Sequence, residues 1–315
     1  MGASNRDTSV LPRIVVLLAT FNGWRWLPAQ VASILSQTGV RVRIIALDDG
    51  STDGTVEWIE EIADNDPQLS LLRLDGRAGS AGANFYRLVA NATVDDDEFV
   101  AFADQDDIWV EGKLARHAQL LREVGCDGVS SDVTSFTPRG KRTLVRKAFP
   151  QREYDYLMES PGPGSTFLLT PRLFALARQV LADPAGPAHS VDFHDSLIYA
   201  IGRARGWAWC IDDVPSVDYR QHDDNVMGSN VGWRSALERL RLIRTHWLRD
   251  HTTLLTRVAL AVAPATARPG LEQILQRLTG HGARNRWALA RLAPRMRRRP
   301  RDQRIIGFLI AIGIW

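Results

Sequence analysis

Cysteine is nearly absent: Cys126 and Cys210 are the only two in 315 residues. Two thiols this far apart in the chain supply neither a disulfide framework nor a cysteine zinc site, so a reducing cytosol is the expected compartment. Long apolar runs are lacking too. The first, Ile14 to Ala19, is too short for a signal peptide or a membrane span, and the opening MGASNRDTSVLPR lacks a basic stretch followed by an apolar one. No glycine-rich phosphate loop or GxGxxG follows that run, which disfavours a dinucleotide oxidoreductase and a sugar-nucleotide transferase of similar topology. Internal repeats and low-complexity tracts are missing as well. At 45% hydrophobic and 24% charged, the chain has the composition of an ordinary soluble globular protein.

Lysine is missing from the last quarter of the chain, and that gap exposes a division of charge. Residues 1–230 carry 22 Lys and Arg against 32 Asp and Glu, a balance of −10. Residues 231–315 carry 17 Arg against 4 Asp and Glu, a balance of +13. Two units are expected, an acidic body over 1–230 and a helical basic region over 231–315, with a junction near Gly228–Trp233. A basic region calls for an anionic partner such as phospholipid headgroups or a pyrophosphate-bearing lipid. Nucleic acid is disfavoured because no recognition module accompanies the charge. Nine arginines lie between Arg284 and Arg304, and Ile305–Trp315 follows them. As a helix that last segment spans about 16 Å, half a hydrocarbon core, so it is no transmembrane helix. It suits an anchor at an anionic membrane interface, or else packing on the body or on a second copy in a homo-oligomer.

Hydrophobic patterning gives a coarse architecture. Arg13–Ala19, Arg43–Leu47, Leu69–Leu74 and Phe99–Ala103 read as strands, the first two as continuous apolar runs suited to burial on both faces of a parallel sheet. Helices are expected at Trp26–Gln37, with Pro28 in its first turn, around Val56–Ile62, at Ala83–Ala92 and at Lys113–Val124. This alternation predicts an α/β fold, doubly wound, with function beyond the carboxyl ends of the strands. Mixed short strands and turns follow Gly125, then a helix at His194–Arg205 and strands at Trp207–Ile211 and Val217–Gln221. Beyond Trp233 the chain reads as helical, broken at Pro264, Pro269, Pro294 and Pro300.

Acidic clusters stand at two strand ends. In Asp104-Gln105-Asp106-Asp107-Ile108-Trp109, three carboxylates crowd four positions, and a hard divalent cation, Mg²⁺ or Mn²⁺, is the natural way to offset their repulsion. The bland alternative, a solvated acidic turn, suits Asp95-Asp96-Asp97-Glu98, which precedes its strand. Asp48-Asp49-Gly50-Ser51 is by itself turn-and-cap chemistry, although a carboxylate there can also accept a base N–H or a ribose hydroxyl. Trp109, directly after the acidic loop, is the candidate for a site-facing ring. Trp24, Trp26, Trp58, Trp207 and Trp209 read as core.

Thr20-Phe21-Asn22 after the first strand, DDGS after the second and DQDDIW after the fourth together resemble the family 2 glycosyltransferases of the GT-A fold. The spelling ATFNG, SILSQT, DDGSTDGT and DQDDIW is similar to the bacterial rhamnosyltransferase-type branch. The resemblance runs from about Arg13 to about Gly228, taking in HDSLIYAIGRARG and YRQHDDN. It implies a GT-A type, mostly parallel sheet with helices on both faces, a nucleotide-diphosphate-sugar donor, an inverting mechanism and a divalent metal. By motif position Thr20, Asn22 and Asp49 would line the nucleotide pocket, with Asp104 and Asp106 in the DxD positions. Either Asp106 or Asp107 would touch the metal, with His222 as a further ligand and Arg220 close by. Asp195 aligns with the catalytic acid residue and would act as base, with His194 beside it as an aid to acceptor orientation; the macrodipole of its helix is the plain alternative. The implied reaction moves a sugar, rhamnose from dTDP-rhamnose being the donor the branch suggests, to a lipid-linked or growing cell-surface glycan at the cytoplasmic face of the membrane. The rival from another class is a noncatalytic, membrane-docked protein on a retained GT-A scaffold.

Overall fold

Strand β1 (Arg13–Thr20) is central because its side chains are apolar on both faces: seven of its eight residues are buried. Val15, Leu17 and Ala19 enter one core, while Ile14, Val16 and Leu18 enter the other, the period-2 alternation of a strand covered on both sides. The computed structural model describes residues 11–222 and 246–315, so the expected junction at Gly228–Trp233 lies outside the described residues. Helix α1 (Leu27–Leu35) carries Pro28 in its first turn, as expected. Strands β2 (Arg41–Asp48) and β3 (Leu69–Leu71) flank helix α2 (Thr55–Asn65), and α3 (Ala81–Asn91) leads to β4 (Phe99–Ala103). The third strand stops at Leu71, short of the expected Leu74.

After β4 come β5 (Ile108–Trp109), α4 (Lys113–Val124), β6 (Gly128–Ser131), β7 (Val133–Phe136), β8 (Arg142–Val145) and β9 (Leu168–Leu169). Helices α5 (Pro171–Leu181) and α6 (His194–Ala204) precede β10 (Trp209–Asp212) and β11 (Val217–Arg220). Seven strands form the main sheet in the order β10-β6-β9-β4-β1-β2-β3. All its pairings are parallel except those of β9, which runs antiparallel to β4 and β6. Thr20 stands opposite Asp48, and Leu18 opposite Ala103. The loops after β1, β2 and β4 therefore emerge together at one edge, where α/β sheets place their sites.

A second sheet has the order β5-β11-β7-β8; its strand β11 stands where a strand at Val217–Gln221 was expected, while its pairing was not legible in the sequence. Its strand β11 pairs antiparallel with β5, Asp218 opposite Ile108 and Val217 opposite Trp109. Continuing that register carries Arg220 and His222 back alongside the acidic loop that precedes β5.

Among the described residues, the helices of the basic region pack on the body. Helices α7 (Trp247–Val262), α8 (Arg268–Thr279), α9 (Ala283–Ala290), α10 (Ala293–Met296) and α11 (Pro300–Ile312) follow. Leu255, Leu271, Ile274, Met296 and Ile310 belong to the same continuous core as Phe85, Phe102 and Tyr199 of the α/β body. Pro269, Pro294 and Pro300 open helices rather than break them, as a missing N–H in the first turn permits. Several of the clustered arginines point inward. Arg297 Nη1 donates to the Met158 carbonyl at 2.8 Å, and buried Arg298 lies 3.7 Å from the Asp155 carboxylate and donates to the Ser160 carbonyl. The guanidinium of Arg299 stacks 4.4 Å from the Phe149 ring.

Candidate active site

The DDGS turn is closed by its first carboxylate. Asp48 accepts from the Thr20 hydroxyl at 2.8 Å, from the Gly50 N–H at 2.9 Å and from both the N–H and the hydroxyl of Ser51. Gly50 takes φ +83, and a Cβ there would stand 2.9 Å from Arg77 Nε, so both backbone and space require glycine. Asp49 is nearly buried and accepts from the backbone N–H groups of Ala78 and Gly79, tying the loop before α3 to the end of β2. Asn22, in left-handed conformation at φ 49, accepts from the Thr52 N–H at 2.9 Å, while its own N–H donates to Ser51 Oγ at 2.7 Å. Thr20, Asn22 and Asp49 thus meet in one shallow corner. Exposed Phe21 overlooks it, with the Arg77 guanidinium 5.0 Å from its ring.

Gln105 locks this corner to the acidic loop. Its Oε1 accepts from the Phe21 N–H and its Nε2 donates to the Phe21 carbonyl, both at 2.8 Å. Sequence reasoning passed over Gln105, whose one signal was its place inside DQDD.

The three acidic side chains diverge. Asp107 turns inward: it is 1% exposed, accepts from Ser165 Oγ at 2.9 Å and from the Arg220 N–H at 3.1 Å. Asp106 turns outward to His222, whose Nε2 lies 2.6 Å from Oδ2. Arg220 Nε donates to the Asp106 carbonyl at 2.8 Å, so the strand that delivers His222 also clamps the loop. His222 stacks on Trp26 with ring centroids 4.3 Å apart. Half-buried Asp104 has no hydrogen-bond partner among the described residues. Burial, then the charges of Asp106 and Asp195, push its carboxyl up to about 7, against the opposing charge of Lys113. The sequence leaves open which of Asp106 and Asp107 would touch a metal; in the structure both oxygens of Asp107 are engaged by the protein, and Asp106 is the carboxylate that meets histidine.

Lys113 is a buried charge that the sequence did not reveal. It is 2% exposed; its ammonium donates to the Ser165 carbonyl and lies 3.1 Å from the centroid of the Trp109 ring. Burial drives its pKa well down, with Asp107 and Asp104 pulling it back. As the first residue of an otherwise amphipathic helix it reads as a surface charge. Trp109 is corrected for the same reason: its ring is buried in the core under Lys113 and offers no open face to a sugar. Trp24, expected in the core, is exposed, whereas Trp209 is buried.

Asp195 occupies the first turn of α6, where the backbone N–H of Ser196 reaches its carboxylate at 2.5 Å. Burial raises its pKa, opposed by hydrogen bonds from Ser196 and Ser160 and by the charge of Lys147. His194 is buried among aromatic side chains. Its ring lies 3.8 Å from that of Phe85 and 5.4 Å from that of Phe102, and burial lowers its pKa to about 3. A Cβ at Gly164 would overlap the imidazole, so glycine there makes room for it. His194 packs against Phe85 and Phe102, and its buried Nε2 has no hydrogen-bond partner among the described residues.

The family model for glycosyl transferase family 2 matches residues 15–183. The chain belongs to this family. As a family 2 glycosyltransferase it is similar to the dTDP-rhamnosyl transferase RfbG of Shigella flexneri, 33% identical over 237 residues, 75% of this chain and 82% of the relative. It is also similar to the UDP-Glc:alpha-D-GlcNAc-diphosphoundecaprenol beta-1,3-glucosyltransferase WfgD of Escherichia coli, 28% identical over 48% of this chain and 57% of the relative. Among solved structures it resembles residues 1–349 of TarS from S. aureus, at a TM-score of 0.54 and 15% identity, over 96% of this chain and 79% of that one. The mannosyltransferase PcManGT from Pyrobaculum calidifontis, in complex with GDP-Man and Mn2+, superposes at a TM-score of 0.50 with 20% identity, over 98% and 82%. The fold is GT-A. No helix among the described residues is long and apolar enough to cross a membrane.

Proposed function

We propose that this glycosyltransferase moves a sugar, with inversion, from a nucleoside-diphosphate donor to a lipid-linked or growing cell-surface glycan at the inner face of the cell membrane. Rhamnose from dTDP-rhamnose is the donor we favour, on the similarity to a dTDP-rhamnosyl transferase. The observation that carries the reading is the convergence of open Asp104, the Asp106–His222 pair and Asp195 beyond the strand ends. Asp195 lies close enough to Asp104 for its charge to raise the Asp104 carboxyl.

Among the described residues no three His, Cys, Asp or Glu side chains form a metal cage. A site for Mg²⁺ or Mn²⁺ bound with a diphosphate needs no such cage, because water and phosphate oxygens fill most of the shell. Asp106 and His222, outward and in contact, fit that role. A divalent cation held there would offset the charge on the departing nucleoside diphosphate. The corner built by Thr20, Asn22 and Asp49 would take the nucleoside, with Phe21 over the base and Asp104 toward the ribose. Asp195 would accept the acceptor hydroxyl's proton as that oxygen bonds to the anomeric carbon and the bond to the diphosphate breaks on the opposite side. Its raised pKa makes it a stronger base than an ordinary carboxylate. The deciding experiment is a binding and turnover screen of nucleotide sugars in Mn²⁺ and in EDTA. We expect donor binding that Mn²⁺ tightens; the absence of any nucleotide-sugar binding would overturn the reading.

A further inference from the structure

Helix α11 has two faces. Ile306 and Ile310 point into the shared core, whereas Ile305, Phe308 and Ile312 point out, Phe308 being 63% exposed. At 100° per residue the last three fall within one narrow stripe, and exposed Arg301 and Arg304 stand on the same side, toward the helix start. Helix α9 runs beside it in the opposite direction: a Cβ at Gly307 would meet Ala290, and one at Gly313 would meet Arg286. That places Trp287, 59% exposed, alongside the last turns of α11. Soluble surfaces seldom carry this much aromatic and branched side chain in one patch without a partner.

The arginines divide in the same way. Arg297 and Arg298 are taken up by carbonyls and carboxylates of the body. Arg284, Arg291 and Arg301 are exposed and form no ion pair among the described residues. An apolar stripe bordered by unpaired cations complements a surface that is hydrocarbon beneath and anionic above. A second copy of the chain would set these same cations against one another.

We infer that the outward face of α11, with Trp287 of α9, seats the protein on an anionic lipid surface. The inference deepens the proposed reaction, resting on it for the lipid-linked acceptor. The docking face is joined to the base by a short path: α11 begins two residues after Arg298, which donates to the Ser160 carbonyl, and Ser160 is near enough to bear on the Asp195 carboxyl. An acceptor rising from the bilayer would thus meet the base close to where the helix is rooted.

The test is co-sedimentation of the full chain with phosphatidylcholine vesicles, with and without phosphatidylglycerol. Binding should require the anionic lipid and weaken with salt, since screening shortens the reach of the arginines. The double variants Trp287→Ser/Phe308→Ser and Arg301→Glu/Arg304→Glu should each lower partitioning by about tenfold or more, with melting temperature and donor hydrolysis unchanged. A parent that stays in the supernatant, variants that partition like the parent, or a solution dimer that Phe308→Ser splits would each overturn the inference. Vesicle binding by a parent with no donor turnover would instead overturn the proposed reaction and leave the docking face standing.

Discussion

His222 Nε2 lies 2.6 Å from Asp106 Oδ2 across 116 positions of sequence. The pairing of β11 with β5 produces that contact, because the antiparallel register returns the end of β11 to the loop from which β5 starts. The acidic loop and its histidine are therefore one unit, clamped by Arg220 on the Asp106 carbonyl and the Asp107 carboxylate.

If that unit holds the cation, Asp106→Ala and His222→Ala should each remove most of the gain in nucleoside-diphosphate affinity that Mn²⁺ gives, about tenfold or more. Asp107→Asn keeps the inward hydrogen-bonding shape and should retain the gain. Calorimetric titration in Mn²⁺ and in EDTA reads both. Equal losses for Asp106→Ala and Asp107→Asn would reject the division of labour between the two carboxylates.

What the sequence disclosed and what it hid follow from the range of the interactions. Phe99–Ala103 and Lys113–Val124 form as expected to the residue, since buried parallel strands and amphipathic helices are written in local pattern. The second sheet is made of strands of two to four residues, whose existence depends on partners far along the chain. Lys113 and Arg298 could not be told from surface charges for one reason: a cation that finds carbonyls and carboxylates in the interior has the same letter as one in water. The inward turn of Asp107 depends on Ser165, 58 positions away, so no reading of DQDD alone could separate it from Asp106.

Asp195→Asn keeps the carboxylate's shape and its place at the start of α6 but cannot take a proton. Transfer should fall by about 10²–10⁴, while donor affinity measured by titration survives. A variant that keeps more than about a tenth of the parent's turnover would remove Asp195 from the role of base.

The joint between the basic helices and the body centres on Asp155. It is fully buried, 3.2 Å from Arg203 and 3.7 Å from Arg298, and Tyr199 donates to it at 3.1 Å. Asp155→Ala would strand two cations in the interior at a cost of about 3–5 kcal/mol. Thermal melts should show a drop of several degrees, and limited proteolysis should open the chain near residues 297–299 first. A melting temperature unchanged to within about 1 °C would show that Asp155 does not hold the joint.

The pH dependence of transfer tests the surroundings of the base. Burial raises the Asp195 carboxyl, and the hydrogen bonds of Ser196 and Ser160 and the ammonium of Lys147 pull it back. Asp104 faces it as a second acid, and Arg298 and Arg299 flank Lys147. The working form is the carboxylate, so activity should fall as pH drops through a value above the ordinary carboxylate range. Lys147→Met removes a cation that bears on Asp195. The carboxyl should then rise further, and the acid limb of kcat/KM should move to higher pH while the plateau rate stays close to the parent's. Lys147→Arg restores the charge and should return the limb toward its original position. A limb in the same place for both variants would show that Lys147 does not tune the base, and a limb surviving in Asp195→Asn would assign it to another group, Asp104 first.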